Sequence, residues 1–376
     1  MLIGIPKEIK NHEYRVGMTP ASVREVVQHG HQVCVEHNAG IGIGLTDDDY
    51  QQAGAEVLAT AAEIFAKAEM IVKVKEPQAI ERAMLREGQI LFTYLHLAPD
   101  LLQTEDLIKS KAVCIAYETV TDSKGGLPLL APMSEVAGRM SIQAGARTLE
   151  KSCGGLGLLL GGVPGVAPAS VVVIGGGMVG TNAAQMAVGL GADVTVLDRS
   201  VDVLRRINAQ FNGAVKTLYS TADTLEKTVL AADLVIGGVL IPGAAAPKLV
   251  TAEHIKRMKP GAAIVDVAID QGGCVETSKP TTHAEPTYIV DDVVHYCVAN
   301  MPGAVPYTST FALNNVTLPY IIRLANQGYK QALLDDTHLR NGLNVYRGQV
   351  TNPLVAAALK FDFVEPETAL SGKPRE

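Results

Sequence analysis

Short apolar runs alternate with helical periodicities along the first third of the chain. Segments 2–5, 32–36, 70–75, 89–94 and 113–117 read as strands, each short, apolar-rich and bounded by polar or turn-forming residues. Helical patterns fall between them at 20–29, 47–52, 60–68, 77–86 and 99–110. Thr19 is placed as an N-cap with Pro20 at the first helical position, and Asp47 opens its helix on an acidic N-terminus. Segment 122–132 is rich in turn residues and marks a boundary. A helix is expected over 134–151 with Ser134 as its cap, followed by a Gly/Pro-dense loop at 154–168. A second set of strands follows at 171–174, 193–197, 233–237 and 262–267. After the loop 299–306 the pattern reads as helical to residue 359, and the end from 364 on is polar.

Strand–helix alternation of this kind predicts parallel sheets wrapped by helices. The expected fold class is α/β, with two doubly wound domains. One is discontinuous, 1–128 plus 308–376, the domain being completed by helices of the C-terminal return. The other is the insert 129–307, and the active site is expected in the cleft between the two.

Composition narrows the picture. A chain of 376 residues exceeds what one hydrophobic core usually fills, and 47% hydrophobic against 19% charged residues suits globular domains. The net charge is −7, and no basic run of the kind that tracks phosphates occurs, so nucleic-acid binding is not expected. The apolar start ahead of Lys7 and Glu8 is too short for a signal peptide, and no apolar run is long enough to span a membrane. Five cysteines without a C-x-x-C pair read as reduced thiols in a cytoplasmic protein. No His/Cys/carboxylate spacing predicts a metal site.

The sharpest motif is Val171-Val-Val-Ile-Gly-Gly-Gly-Met-Val-Gly180. Gly175, Gly177 and Gly180 form G-x-G-x-x-G between a β-branched strand and a helix, and the next strand ends at Asp198. That context makes it a dinucleotide-binding fingerprint of Rossmann type. Gly175 permits the turn and Gly177 lets the backbone approach a pyrophosphate at the helix N-terminus. Gly180 allows close helix–strand packing, and Asp198 can accept from the adenosine ribose hydroxyls. A carboxylate there repels a 2′-phosphate, which favours NAD over its phosphorylated form. Adjacent Arg199 weakens that discrimination slightly.

A nicotinamide site also needs groups for a substrate carboxylate and a proton. Arg15 lies in the loop after the first strand, and Lys75 and His96 end later strands, all at the edge where doubly wound sheets bind ligands. Lys73 on the same stretch reads as an ordinary lysine. His12, His31, His37 and Glu118 read as structural.

The stretches Ile5-Pro-Lys-Glu, Arg15-Val-Gly-Met-Thr-Pro, Lys73-Val-Lys-Glu-Pro77, Tyr94-Leu-His-Leu-Ala98, Pro132-Met-Ser-Glu-Val-Ala-Gly138, Gly161-Gly-Val-Pro-Gly165, Ile174-Gly-Gly-Gly-Met-Val-Gly180 and Asp266-Val-Ala-Ile-Asp-Gln-Gly-Gly273 together resemble the alanine dehydrogenase family, relatives of the nucleotide-binding subunit of proton-translocating transhydrogenase. The resemblance spans the chain to about residue 360. It implies NAD-dependent interconversion of L-alanine with pyruvate and ammonium. Arg15 and Lys75 would bind the substrate, His96 would act as general acid/base, and Asp270 would act beside the nicotinamide. It implies cofactor contacts at Ser134, Met178, Val179, Ser220, Val239, Leu240, Val267, Asn300 and Met301, and a homo-oligomer, specifically a homohexamer. Two other readings are a transhydrogenase-type subunit that binds NAD(H) without substrate turnover, and a nucleotide-binding sensor.

Overall fold

The computed structural model describes residues 1–239 and 246–372. It separates into two compact units, Met1–Pro132 with Val305–Glu376, and Met133–Ala304.

The first unit is built on an eight-stranded sheet. Its strands are β1 (Leu2–Ile5), β2 (Gln32–Glu36), β3 (Glu56–Leu58), β4 (Met70–Val72), β5 (Ile90–Thr93), β6 (Val113–Ala116), and the later pair Leu343–Tyr346 and Gln349–Val350. The parallel part runs β3-β2-β1-β4-β5-β6, with the chain reversing direction across the sheet between β1 and β4. β4, β5 and β6 are buried along their whole length, which is why they are continuous apolar runs and not alternating ones. Helices start where the sequence supplies caps. Thr19 accepts from the Ser22 N–H ahead of helix Pro20–Gln28, and Thr60 and Glu63 form a reciprocal capping box on Ala61–Lys67.

The second unit repeats the plan. Its strands are β7 (Ser170–Ile174), β8 (Asp193–Asp198), β9 (Val215–Tyr219), β10 (Leu234–Gly237), β11 (Ala263–Asp266), β12 (Thr287–Val290) and β13 (Val293–Tyr296). The parallel order is β9-β8-β7-β10-β11-β13, and β12 closes one edge antiparallel to β13. Both sheets are therefore doubly wound in the same strand order, with a switch point at β1/β4 and at β7/β10.

Three expectations need correction. Ser134 is not a cap: helix Ala131–Thr148 begins three residues earlier and Ser134 lies in its first turn. Segment 77–86 forms only a one-turn helix, Ala79–Arg82. The C-terminal return is not wholly helical. After helix Pro306–Gln327 it adds Leu343–Tyr346, antiparallel to β6, and Gln349–Val350, antiparallel to that. Arg347 and Gly348 between them both take left-handed φ, at 47° and 89°, as a two-residue hairpin turn requires.

Candidate active site

In the second unit the glycine loop leaves β7 at the switch point. Gly175 turns at φ 95°, and Gly177 is the N-cap of helix Met178–Gly189. A Cβ on Gly180 would lie 1.8 Å from the Gly175 carbonyl oxygen, so any side chain there forces the helix off the strand. A Cβ on Gly177 would meet nothing within 4 Å. The space in front of the helix N-terminus is thus open, the cradle that a pyrophosphate needs. Asp198, at the end of β8, accepts the Gly176 N–H and the Ser200 N–H, each at 2.7 Å. Its carboxylate ties the loop to the neighbouring strand and stands at the rim of a cavity of about 430 Å³.

Ser134, Gly175, Gly177, Met178, Val179, Asp198, Ser220 and Val239 all line that cavity. Gly180 lies beneath it as a packing residue. Leu240 falls outside the described residues. Val267, Asn300 and Met301 are not among the lining residues. Val267 packs on the core, Met301 is 2% exposed, and Asn300 sits at φ 74° with its carbonyl bonded to the His283 ring. Asp270 is exposed in the turn Val267–Gln271 that follows β11. It does not serve as the anchor of that turn. Asp266 does, accepting from the N–H groups of Cys274 and Val275 and from the Ser278 hydroxyl.

At the corresponding edge of the first unit the candidate groups are side chains. The loop after β1 passes so close to β4 that a Cβ on Gly17 would lie 2.4 Å from the Val72 carbonyl oxygen. This passage buries Arg15 to 2% exposure although it lies in a loop. A buried guanidinium is costly unless paired. Glu13 pairs it in fork geometry, accepting from Nε at 2.7 Å and from Nη2 at 2.6 Å. Burial pulls the Arg15 pKa down, and the hydrogen bonds and charge of Glu13 more than offset it, so the cation persists.

Glu8 organises the next loop. One carboxylate oxygen accepts the Val74 N–H at 2.7 Å and the Lys75 N–H at 3.4 Å, and the other accepts from Lys73 Nζ at 3.1 Å. Lys73 also meets Glu81 at 2.7 Å. It is therefore no ordinary surface lysine but the fully buried cation of a two-carboxylate cluster, its pKa lowered by burial but raised further by Glu8 and Glu81. Lys75 lies beyond the end of β4, half-buried. With Lys10 it holds the Glu76 carboxyl below its usual value in spite of burial.

His96 is exposed, three residues beyond β5, at φ 49°. Its ring stacks on Tyr94 with centroids 5.8 Å apart and planes 10° from parallel. The Tyr94 N–H donates to the Val74 carbonyl at 3.2 Å, and the Thr93 hydroxyl donates to the Lys75 carbonyl at 2.9 Å. The loops bearing Lys75 and His96 are thus stitched together, and the Arg15 charge interacts with Tyr94 and Glu8. Glu8, Glu13 and Tyr94 were not identified as site residues from the sequence. Glu8 and Tyr94 stand in the family stretches Ile5-Pro-Lys-Glu and Tyr94-Leu-His-Leu-Ala98, but nothing in those stretches shows what either side chain holds. A broad depression of about 800 Å³ at the far end of this unit, lined by Tyr346, Arg347 and Leu370 among others, lies by the amino end of β6, away from this edge.

Two doubly wound units, one with a dinucleotide cradle and one with a cationic edge and an imidazole, define a dinucleotide-dependent α/β protein. Residues 4–137 match the family model "Alanine dehydrogenase/PNT, N-terminal domain", and residues 141–353 match "Alanine dehydrogenase/PNT, C-terminal domain". The chain belongs to the alanine dehydrogenase/PNT family. An alanine dehydrogenase of Halomonas elongata is 60% identical over 97% of this chain and 98% of its own length. A solved L-alanine dehydrogenase superposes with a TM-score of 0.93 at 54% identity, covering 96% of this chain and 99% of that one. A transhydrogenase from Sinorhizobium meliloti shares the fold, with a TM-score of 0.80 at 24% identity, covering 94% of this chain and 99% of that one. Among the described residues no helix is long and apolar enough to cross a membrane, and no cluster of three metal-ligating side chains occurs.

Proposed function

We propose that this chain is an NAD-dependent L-alanine dehydrogenase. Pyruvate, ammonium, NADH and a proton give L-alanine, NAD and water, and the reaction runs in reverse as oxidative deamination. The observation that carries this reading is the buried Arg15–Glu13 pair at the sheet edge that also presents Lys75 and His96, in a chain 60% identical to a named alanine dehydrogenase.

NAD, when bound, supplies the hydride acceptor, and its reduced form the donor. The helix N-terminus at Gly177 faces the pyrophosphate, and Asp198 accepts from the adenosine ribose. Ser134, Met178, Val179, Ser220 and Val239 wall the cavity. Arg15, its plane fixed by Glu13, binds the substrate carboxylate, and Lys75 adds a second cation at the carboxylate or carbonyl. Their positive charge also favours the developing negative charge on the carbonyl oxygen when ammonia adds. His96 donates the proton that lets that oxygen leave as water. In deamination it takes the proton from the attacking water. Asp270 orients the ammonia or water. Met1–Pro132 with Val305–Glu376 serve as the substrate domain and Met133–Ala304 as the NAD domain, a few residues from the boundaries expected at 128/129 and 307/308. A cytoplasmic homohexamer completes the reading, supported by the family resemblance and checked by light scattering on the purified protein.

The test is NADH oxidation by pyruvate with and without ammonium. The expected result is turnover only with both. Equal oxidation by pyruvate alone identifies a 2-oxo acid reductase instead. No oxidation together with tight NADH binding identifies a subunit that binds the nucleotide without turnover.

A further inference from the structure

The peptide unit that joins Leu95 to His96 is held from both sides. Its carbonyl accepts from Gln103 Nε2 at 2.6 Å, and its N–H donates to Glu118 Oε1 at 2.6 Å. The preceding N–H, that of Leu95, also points at the Glu118 carboxylate, at 3.2 Å from each oxygen. Two successive amides converging on one anion form a small nest. Gln103 is 1% exposed on helix Leu101–Ser110, where its own N–H is capped by Asp100. Glu118 comes from the turn Tyr117–Thr119 after β6, the strand that pairs with β5. Between them stands a histidine at φ 49°, a left-handed backbone that L-residues with a β-carbon rarely adopt.

We propose that Glu118 and Gln103 are positioning residues for the known reaction. They clamp the peptide before His96 in an orientation the backbone disfavours and so fix where the imidazole stands. Neither side chain has to touch substrate. The inference rests on the reading of His96 as acid/base. Its consequence is specific: loosening the clamp lets the peptide rotate and misdirects the imidazole, which lowers kcat and leaves the cationic edge and the cofactor cradle intact. A misplacement of about 1 Å at a reacting group can cost about a hundredfold in rate.

The test uses the full-length protein with Glu118→Gln, Gln103→Leu, His96→Gln, and the double variant Glu118→Gln with His96→Gln. Glu118→Gln keeps the shape and one acceptor oxygen but turns an NH2 group toward the second amide. Gln103→Leu keeps the volume and removes the donor. Each single clamp variant is expected to lose roughly 10- to 100-fold in kcat, with pyruvate KM and NADH Kd within about twofold of wild type. The double variant is expected to turn over no more slowly than His96→Gln alone. Wild-type kcat in both folded clamp variants overturns the proposal. So does a parallel loss of NADH affinity, or a double variant whose loss is the product of the two single losses. Should His96→Gln itself retain full turnover, the acid/base reading fails first. Should His96→Gln lose turnover while the clamp variants keep it, only the positioning role falls.

Discussion

The two units use one strand order for opposite kinds of recognition. At the β7/β10 edge the contacts come from backbone. Gly177 leaves open space before a helix N-terminus, and the helix can approach β7 only because Gly180 carries no side chain. At the β1/β4 edge the candidate groups are side chains, and a carboxylate holds the charge or the backbone of each. Glu13 holds Arg15, Glu8 holds the amides around Lys75, and Glu118 holds the amide of His96. A doubly wound sheet fixes where a ligand binds. The choice between backbone and side chains decides what kind of ligand it is. Backbone amides suit a phosphate that is the same in every dinucleotide. A small 2-oxo acid offers only a carboxylate and a carbonyl, so paired cations have to supply the grip.

Breaking one edge should therefore leave the other working. The largest effect is expected from His96→Ala, which should reduce kcat by about 10²- to 10⁴-fold while NADH Kd, followed by fluorescence titration, stays within twofold. Loss of NADH binding in that variant would show that the two edges are not separable. Next comes Lys73→Met. Removing the ammonium strands Glu8 and Glu81 at 2% exposure or less, and a broken buried pair costs about 3–5 kcal/mol. Urea unfolding should show this loss. Because the folded-state pKa of Lys73 is raised above 10.5, the wild-type contribution is fully present below that pH and disappears as alkaline titration passes through the raised value.

Gly180→Ala tests the other edge. It should weaken NADH by about 100-fold, since a methyl group 1.8 Å from a carbonyl oxygen displaces the helix that faces the pyrophosphate. Pyruvate KM at saturating NADH should change little. The smallest expected effect is a pH dependence confined to the second unit. His295 is fully buried, its Nδ1–H donates to the Val293 carbonyl, and Nε2 accepts from the Thr277 hydroxyl, so the ring is held neutral. Burial lowers its pKa below 6.5. Its stabilising effect is complete above pH 6.5 and is lost as pH falls toward the lowered value, by at most about 1.4 kcal/mol per pH unit. Melting curves of wild type and His295→Gln between pH 5 and 7 check this. The acid slope should be shallower in the variant.

The two edges also differed in how far they could be read from sequence. The glycine loop and its carboxylate lie within residues 171–198, so strand, glycines, helix and carboxylate follow one another in order and are legible in the sequence. At the cationic edge the ends of the strands pointed to Arg15, Lys75 and His96, because a parallel strand aims its last residues at the ligand edge. Their partners were not legible. Glu118 was read as structural because nothing in the Tyr117–Thr119 turn shows that it lies against the loop 22 residues earlier. Lys73 was read as an ordinary lysine because the sequence does not bring Glu8 and Glu81 to it. The hairpin at 343–350 was absorbed into a helical pattern. Its strands are only four and two residues long, and they hold only because β6 offers an open edge for the first.

The central claim is that the cationic edge and the dinucleotide cradle serve one hydride transfer. The most direct measurement uses NADH carrying deuterium at both C4 positions, with pyruvate and ammonium, and reads the product by mass spectrometry. The account predicts L-alanine with one deuterium at Cα, formed by wild type and at greatly reduced rate by His96→Ala. Deuterium appearing in lactate, or alanine formed without label, would contradict it.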